Sequence, residues 1–147
     1  VNTMPGQFTS IDVSASGLAA ERLRMEVVAN NIANAGTTKT ETGDPYRRQS
    51  VVFAAAMEQA QGTGGNGQHY GVRAIEVQED QTDFPMVHNP GHPHADADGF
   101  VKMPNVQISH EMVDLITASR SYEANTKAIS VFKDMIGQTL TLLQGGR

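Results

Sequence analysis

A seven-residue apolar repeat toward the C-terminal end limits this chain most. Ile108, Leu115, Tyr122, Ile129, Ile136 and Leu143 follow one another without a miss. A sustained heptad keeps one stripe of an α-helix turned toward a partner helix. Met112, Ala118, Asn125, Phe132 and Leu140 fall close to the same stripe. Asn105, after Pro104, reads as the N-cap. Glu111 and Asp114 come early, where the macrodipole favours anions, and Gly145-Gly146 supplies the stop. The helix so predicted has about 39 residues and a length of ~58 Å. That is several times the globular mean and points to a coiled coil or a filament subunit.

Residues 10–34 predict a second long helix, with Ile11, Leu18, Met25 and Ile32 seven apart. Ala15 and Ala29 fill the intermediate seam, and Arg22 interrupts it. Thr9-x-x-Asp12 reads as a capping box, with Ser10 an acceptable alternative cap, and Gly36 with Thr37-Thr38 ends the pattern. Asn30, Asn31 and Asn34 crowd the helix end. Asn is a poor helix former, so these side chains either terminate the helix or bond the following turn or a partner backbone. Asn125 either tolerates a half-exposed position or fixes the register of the seam.

Between the helices, Pro and Gly become frequent and helical periodicity disappears. Strands are expected at 46–53, 72–79 and 100–103, separated by the turn sequences Gly43-Asp44-Pro45, Asn89-Pro90-Gly91 and Asp98-Gly99. Residues 61–68 read as a flexible Gly-rich loop. The expected fold is mainly α with a small β insert. Its N- and C-terminal helices pack antiparallel as a coiled-coil-like pair, with the central β-rich domain at one end. The divisions fall at 1–38, 39–104 and 105–147. The second apolar stripe outruns the first by roughly ten residues, or about 15 Å, and a neighbouring subunit is the natural cover for the surplus.

Composition agrees with shared burial. Of 147 residues, 39 % are hydrophobic and 5 % aromatic, and there is no Trp. So little large apolar surface offsets conformational entropy poorly, and partners that bind the folded form would stabilise it. A net charge of −5 argues against nucleic acid, which calls for Lys and Arg to displace phosphate counterions. With no Cys, disulfides and thiolate sites are excluded. The first basic residue is Arg22, no apolar segment suits a cleaved signal, and direct membrane insertion is not expected.

Two patterns resemble chemistry. His88, His92, His94, Asp96 and Asp98 are metal-ligand types in one stretch, and a metal-dependent hydrolase is the alternative function they raise. His92-x-His94-x-Asp96 lacks the next His of the metallo-β-lactamase pattern, where Ala97 stands. As an EF-hand loop the stretch ends on Asn105 where a Glu is needed, so a polar turn is the simpler reading. Gly62-x-Gly64-x-x-Gly67 has dinucleotide-binding spacing but leads toward a strand rather than a helix N-terminus. No Gly-x-Ser-x-Gly elbow is present. No cofactor and no catalytic residue is expected.

Ala29-Asn30-Asn31-Ile32-Ala33-Asn34-Ala35 resembles the Asn-rich signature of the bacterial flagellar rod and hook axial proteins. Pro45-Tyr46-Arg47-Arg48-Gln49, the stretch from His92 through Asp98-Gly99-Phe100 to Val106, Glu111-Met112-Val113-Asp114, and Ala118-Ser119-Arg120-Ser121-Tyr122-Glu123-Ala124-Asn125 resemble its proximal-rod members, in order over nearly the whole chain. Asn89 and His94 depart from that pattern, where Asp is usual. The resemblance implies a non-enzymatic structural subunit whose terminal helices line a tubular, torque-transmitting rod in the periplasmic space. It implies export without signal cleavage through the flagellar export apparatus. The partners it implies are other rod proteins, copies of itself and the surrounding rings. A coiled-coil adaptor unrelated to flagella is a further alternative. The expected assembly residues are Ile11, Leu18, Met25, Asn30, Asn31, Ile32 and Asn34 on the first helix. On the second they are Ile108, Met112, Leu115, Tyr122, Asn125, Ile129, Phe132, Ile136, Leu140 and Leu143.

Overall fold

The computed structural model describes residues 5–59 and 68–144. Helix α1 spans Pro5–Ala33 and helix α2 spans Ile108–Gln144. Between them run β1 (Gln49–Gln59), β2 (Gln68–Glu79), β3 (Met86–His88) and β4 (Phe100–Lys102). The two helices pack along each other and flank a small antiparallel β region, as expected.

The helices lie antiparallel in a regular register. A Cβ on Gly17 would sit 2.9 Å from Asn125 Nδ2, and Asn31 Nδ2 donates to Glu111 Oε2 at 2.9 Å. Asn31 is fourteen residues beyond Gly17, and Glu111 is fourteen before Asn125, so two heptads on one helix match two on the other. Gly17 is what lets the backbones approach here. The same register sets Pro5 level with about Gly137, so the last turns of α2 extend past the described start of α1.

α1 is the shared element. Both β1 and β2 pack on it, and among the described residues no strand packs on α2. The β1–β2 pair is antiparallel, with a bulge where Val52 faces Glu76 and Phe53 faces Ala74, leaving Ile75 extra and 60 % exposed. A lone two-stranded ribbon is marginal in water, so its face on α1 supplies much of its stability. Ala20, Val27, Val28 and Ala118 are the buried apolar residues of the helical part, and Val101 is buried in the insert. β3 pairs with β4 in a separate small sheet.

Some expectations need correction. α1 begins at Pro5, so Thr9 and Asp12 lie within the helix and form no capping box. α2 begins at Ile108, and Asn105 does not cap it. Asn105 is drawn into the tertiary structure instead, as described below. β3 was not expected, because three residues are too few to show alternation. β1 and β2 extend to Gln59 and from Gln68, beyond the predicted strands, because pairing and contact with α1 override weak local preference. The Gly62–Gly64–Gly67 pattern lies outside the described residues.

Candidate assembly interface and its polar joint

The predicted stripe residues separate by environment. On α1, Ile11, Leu18, Met25 and Ile32 are half-buried and Asn30 is exposed. On α2, the middle of the repeat (Leu115, Tyr122, Asn125, Ile129, Phe132 and Ile136) is half-buried. Its ends are open. Ile108 is 47 % exposed, Met112 53 %, Leu140 54 % and Leu143 73 %. Val113, Ile116, Val131, Met135 and Leu142 are exposed as well, on helix phases the predicted repeat did not include. Exposed apolar rows of this length on a helix pair are the ordinary mark of a protein–protein contact.

Asn31 behaves differently from the rest of the predicted set. Its side chain is fully buried inside the chain. Asn31 Nδ2 donates to Gln49 O (2.7 Å) and to Glu111 Oε2 (2.9 Å). Asn31 Oδ1 accepts from Tyr46 OH and from Gln49 N, both at 2.9 Å. The amide thus pairs with the backbone of β1 as a strand would and ties α1 to α2 at once. No hydrogen-bonding capacity remains for a neighbouring molecule. Asn34 closes the helix locally, donating to Asn30 O at 2.9 Å and accepting from Thr37 Oγ1 at 3.2 Å.

Around Asn31 the sequence assembles a joint. Glu111 is fully buried and accepts from Arg48 Nε at 2.6 Å. The Arg48 guanidinium also lies 3.6 Å from Asp114 and 3.8 Å from Asp80, and Arg24 reaches Asp114 at 3.4 Å. Asn105 Oδ1 accepts from Arg48 N (2.7 Å), and its Nδ2 donates to Asp80 O and Thr82 Oγ1. Arg47 donates to Asp80 O and Thr82 O and lies 4.3 Å over the Phe84 ring. A buried carboxylate survives only when paired and hydrogen-bonded, and Glu111 has both an Arg and an amide. Hydrogen bonds from Thr82, and secondarily the Arg48 and Arg47 charges, lower the Asp80 pKa. Burial, then the Glu111 and Glu79 charges, raise the Tyr46 hydroxyl above its ordinary 10.0. Of this joint, only Asn31 was among the expected site residues. Arg48 and Glu111 stood in recognisable motifs, but nothing local indicates that residues 63 apart in sequence would meet.

The His/Asp stretch has a conformational job. Asp96 Oδ1 accepts from Asp98 N (3.0 Å) and Phe100 N (2.7 Å), an Asx-type turn. His92 Nδ1 accepts from His94 N at 3.1 Å, His94 Nδ1 pairs with Thr38 Oγ1 at 2.8 Å, and His88 meets Phe100 edge-on. Gly99, at φ +79°, permits the turn, since a Cβ there would meet His88 and Pro90 at 3.1 Å. Among the described residues no group of His, Asp and Glu could hold a metal ion. No helix among them is long and apolar enough to cross a membrane.

Comparison with known proteins agrees with this architecture. Residues 11–39 match the family described as Flagella basal body rod protein, and residues 97–142 match Flagellar basal body rod FlgEFG protein C-terminal. The flagellar basal-body rod protein FlgC of Borreliella burgdorferi is 41 % identical over 151 residues, covering 95 % of this chain and 99 % of the relative. FlgC of Salmonella typhimurium is 44 % identical over 133 residues (90 % and 95 %), and that of Bacillus subtilis 41 % over 147 residues (92 % and 97 %). Two long packed helices, a β insert tied to them by a buried polar joint, and identity sustained from end to end together place this chain in the FlgC family of flagellar basal-body rod proteins.

Proposed function

We propose that this structural, non-enzymatic rod subunit joins the proximal segment of the flagellar drive shaft through the outer faces of its helix pair. Its partners are copies of itself and related rod proteins. The rod spans the periplasmic space, and its subunits arrive unfolded through the flagellar export apparatus without signal cleavage. The assembly residues are Ile11, Leu18, Met25 and Ile32 on α1, and Ile108, Met112, Leu115, Tyr122, Asn125, Ile129, Phe132, Ile136, Leu140 and Leu143 on α2. Asn30 and Asn34 belong to the same end of α1. Asn31 contributes indirectly, by holding the pair in register.

One observation carries this reading. The apolar repeat of α2 continues past the described start of α1, leaving Leu140 and Leu143 at 54 % and 73 % exposed. Burying a Leu side chain contributes roughly 1.5–3 kcal/mol, so this end gains from a neighbour what the described residues do not supply. Torque transmission then rests on close-packed helices, which deform little.

The test is incorporation. A tagged wild-type chain should co-purify with basal bodies. Leu143→Asp should leave the far-ultraviolet circular dichroism unchanged and lower incorporation about tenfold or more, with loss of swimming. Normal incorporation and swimming of Leu143→Asp would overturn the interface, and absence of the wild-type chain from basal bodies would overturn the rod.

A further inference from the structure

The β1–β2 ribbon has an open strand edge, and two sets of hydrogen bonds locate it. Gln49 N donates to Asn31 Oδ1 and Gln49 O accepts from Asn31 Nδ2, so Gln49 turns both backbone groups away from β2. In an antiparallel pair such outward groups recur at every second residue. The bulge places its extra residue, Ile75, in β2, so the alternation of β1 is uninterrupted. Val51, Phe53 and Ala55 therefore also point N–H and C=O outward. Ser16 gives an independent check. Its Oγ accepts from Val72 N at 3.1 Å, which makes Val72 outward-facing on β2 and its partner Ala55 outward-facing on β1. The ribbon thus crosses α1. At Gln49 the β1 edge rests on α1, and at Val72 the β2 edge does, so near Ala55 the β1 edge turns away from the helix. Ala55 is exposed. Among the described residues no hydrogen bond takes the outward N–H or C=O of Val51, Phe53 or Ala55.

Unpaired edges are normally blunted with charge, Pro or a covering segment. β2 follows that rule. It carries Arg73, Glu76 and Glu79, and Gln81 Nε2 donates to Glu79 O at 3.2 Å, filling an outward acceptor. β1 does not. From Gln49 to Met57 it has no charge, no Pro and no Gly. Val51 and Phe53 also border a recess of ≈ 260 Å³ with Val27 and Val28 of α1, which has room for an apolar side chain. Asn31 already shows how this edge is read, since its carboxamide fills the Gln49 rung as a peptide group would. Resting on the rod-subunit reading, we propose that the next rungs, Val51, Phe53 and Ala55, receive an added β-strand, an extended uncharged segment of a different protein in the rod. The alternation of donors and acceptors specifies an extended backbone, and the uncharged flanks specify small or apolar side chains. The ribbon does not supply this strand itself. Phe53 lies six residues, or about 20 Å, before Gln59, and the eight residues joining Gln59 to Gln68 are too few to run that far and return. A second copy fits poorly as well. Its β2 edge is blunted, and β1 against β1 is a two-fold contact that closes at two copies.

Backbone hydrogen exchange tests the added strand in the assembled rod. In isolated basal bodies the amides of Phe53 and Ala55 should exchange about a hundredfold more slowly than in the monomer, whereas Ala54, already in the ladder, is protected in both. Ala55→Pro removes only an outward N–H, which an edge strand tolerates. It should keep Ala54 protected in the monomer and lower incorporation into basal bodies about tenfold. Ala55→Val retains the N–H and should incorporate within about twofold of wild type. A photoreactive phenylalanine analogue in place of Ala55 should join the chain to a different rod protein. Fast exchange of Phe53 and Ala55 in basal bodies, or wild-type incorporation of Ala55→Pro, overturns the added strand and leaves the rod reading intact. Cross-linked products containing only this chain overturn the assigned occupant. A wild-type chain missing from basal bodies removes the rod reading itself.

Discussion

The two ends of the helix pair are built on opposite principles. At the Glu111 end, a buried carboxylate, a buried amide and an Arg fork are satisfied wholly within the chain. At the Leu143 end, Leu140, Leu142 and Leu143 stand in solvent with exposures of 54 %, 78 % and 73 %. Polar groups in a low-dielectric joint are costly unless fully paired, so such a joint tolerates one geometry and little else. Apolar side chains are non-directional and accept many partners. The contrast implies that one end fixes the shape of the subunit, while the other end is the one the proposed assembly would cover.

The sharpest way to break this contrast is to orphan the joint. Glu111→Ala removes the buried carboxylate from Asn31 Nδ2 and leaves Arg48 only its longer contacts to Asp80 and Asp114, and should cost about 3–5 kcal/mol, read as a fall in the urea midpoint of the monomer. Equal stability of variant and wild type would mean the joint is incidental. Asn31→Ala frees Gln49 N and O and Tyr46 OH inside the structure, and should cost about 2–4 kcal/mol in the same measurement. Gly17→Val drives a side chain into Asn125 and should cost about 1–3 kcal/mol by splaying the pair midway, with the joint still closed. At the other end, Leu142→Ser should change monomer stability by no more than about 0.5 kcal/mol while impairing assembly. Hydrogen exchange should show the same gradient, with amides near Glu111 and Ala118 protected far longer than those near Leu140.

The smallest expected effect is on pH. The Asp80 carboxyl has a lowered pKa in the folded chain, so folded protein holds its proton less tightly than unfolded protein does. Its contribution is present above the ordinary value of 3.8 and is lost as pH falls below it. Tyr46 acts in the opposite range. Its hydroxyl has a raised pKa, so the unfolded chain ionises first and stability falls as pH rises above 10.0. Denaturation midpoints should decline on both flanks, and Tyr46→Phe should remove the tyrosine part of the alkaline decline while leaving the acid one.

Much of the architecture was legible. Ile108 through Leu143 predicted a helix of the right length and place, and Ile11 through Ile32 predicted its partner. These survive because a heptad is a property of the chain itself, repeated too often to be chance. The helix starts were misread at Thr9 and Asn105 because a capping residue is defined by where its side chain bonds. Asn105 finds better partners in Arg48 N, Asp80 O and Thr82. The His/Asp stretch shows the same limit, since one set of residue types serves either a metal or a turn until backbone geometry decides.

By itself, then, the sequence determined that there would be two long helices with apolar rows, an interrupted β segment between them, and no disulfide. Tertiary structure decided which rows are covered, that Asn31 faces inward and Asn30 outward, and that Glu111 meets Arg48. The reason is physical. Periodicity records the faces of a helix, but burial depends on what lies opposite, and a polar side chain becomes part of a core only when distant segments bring it every partner it needs.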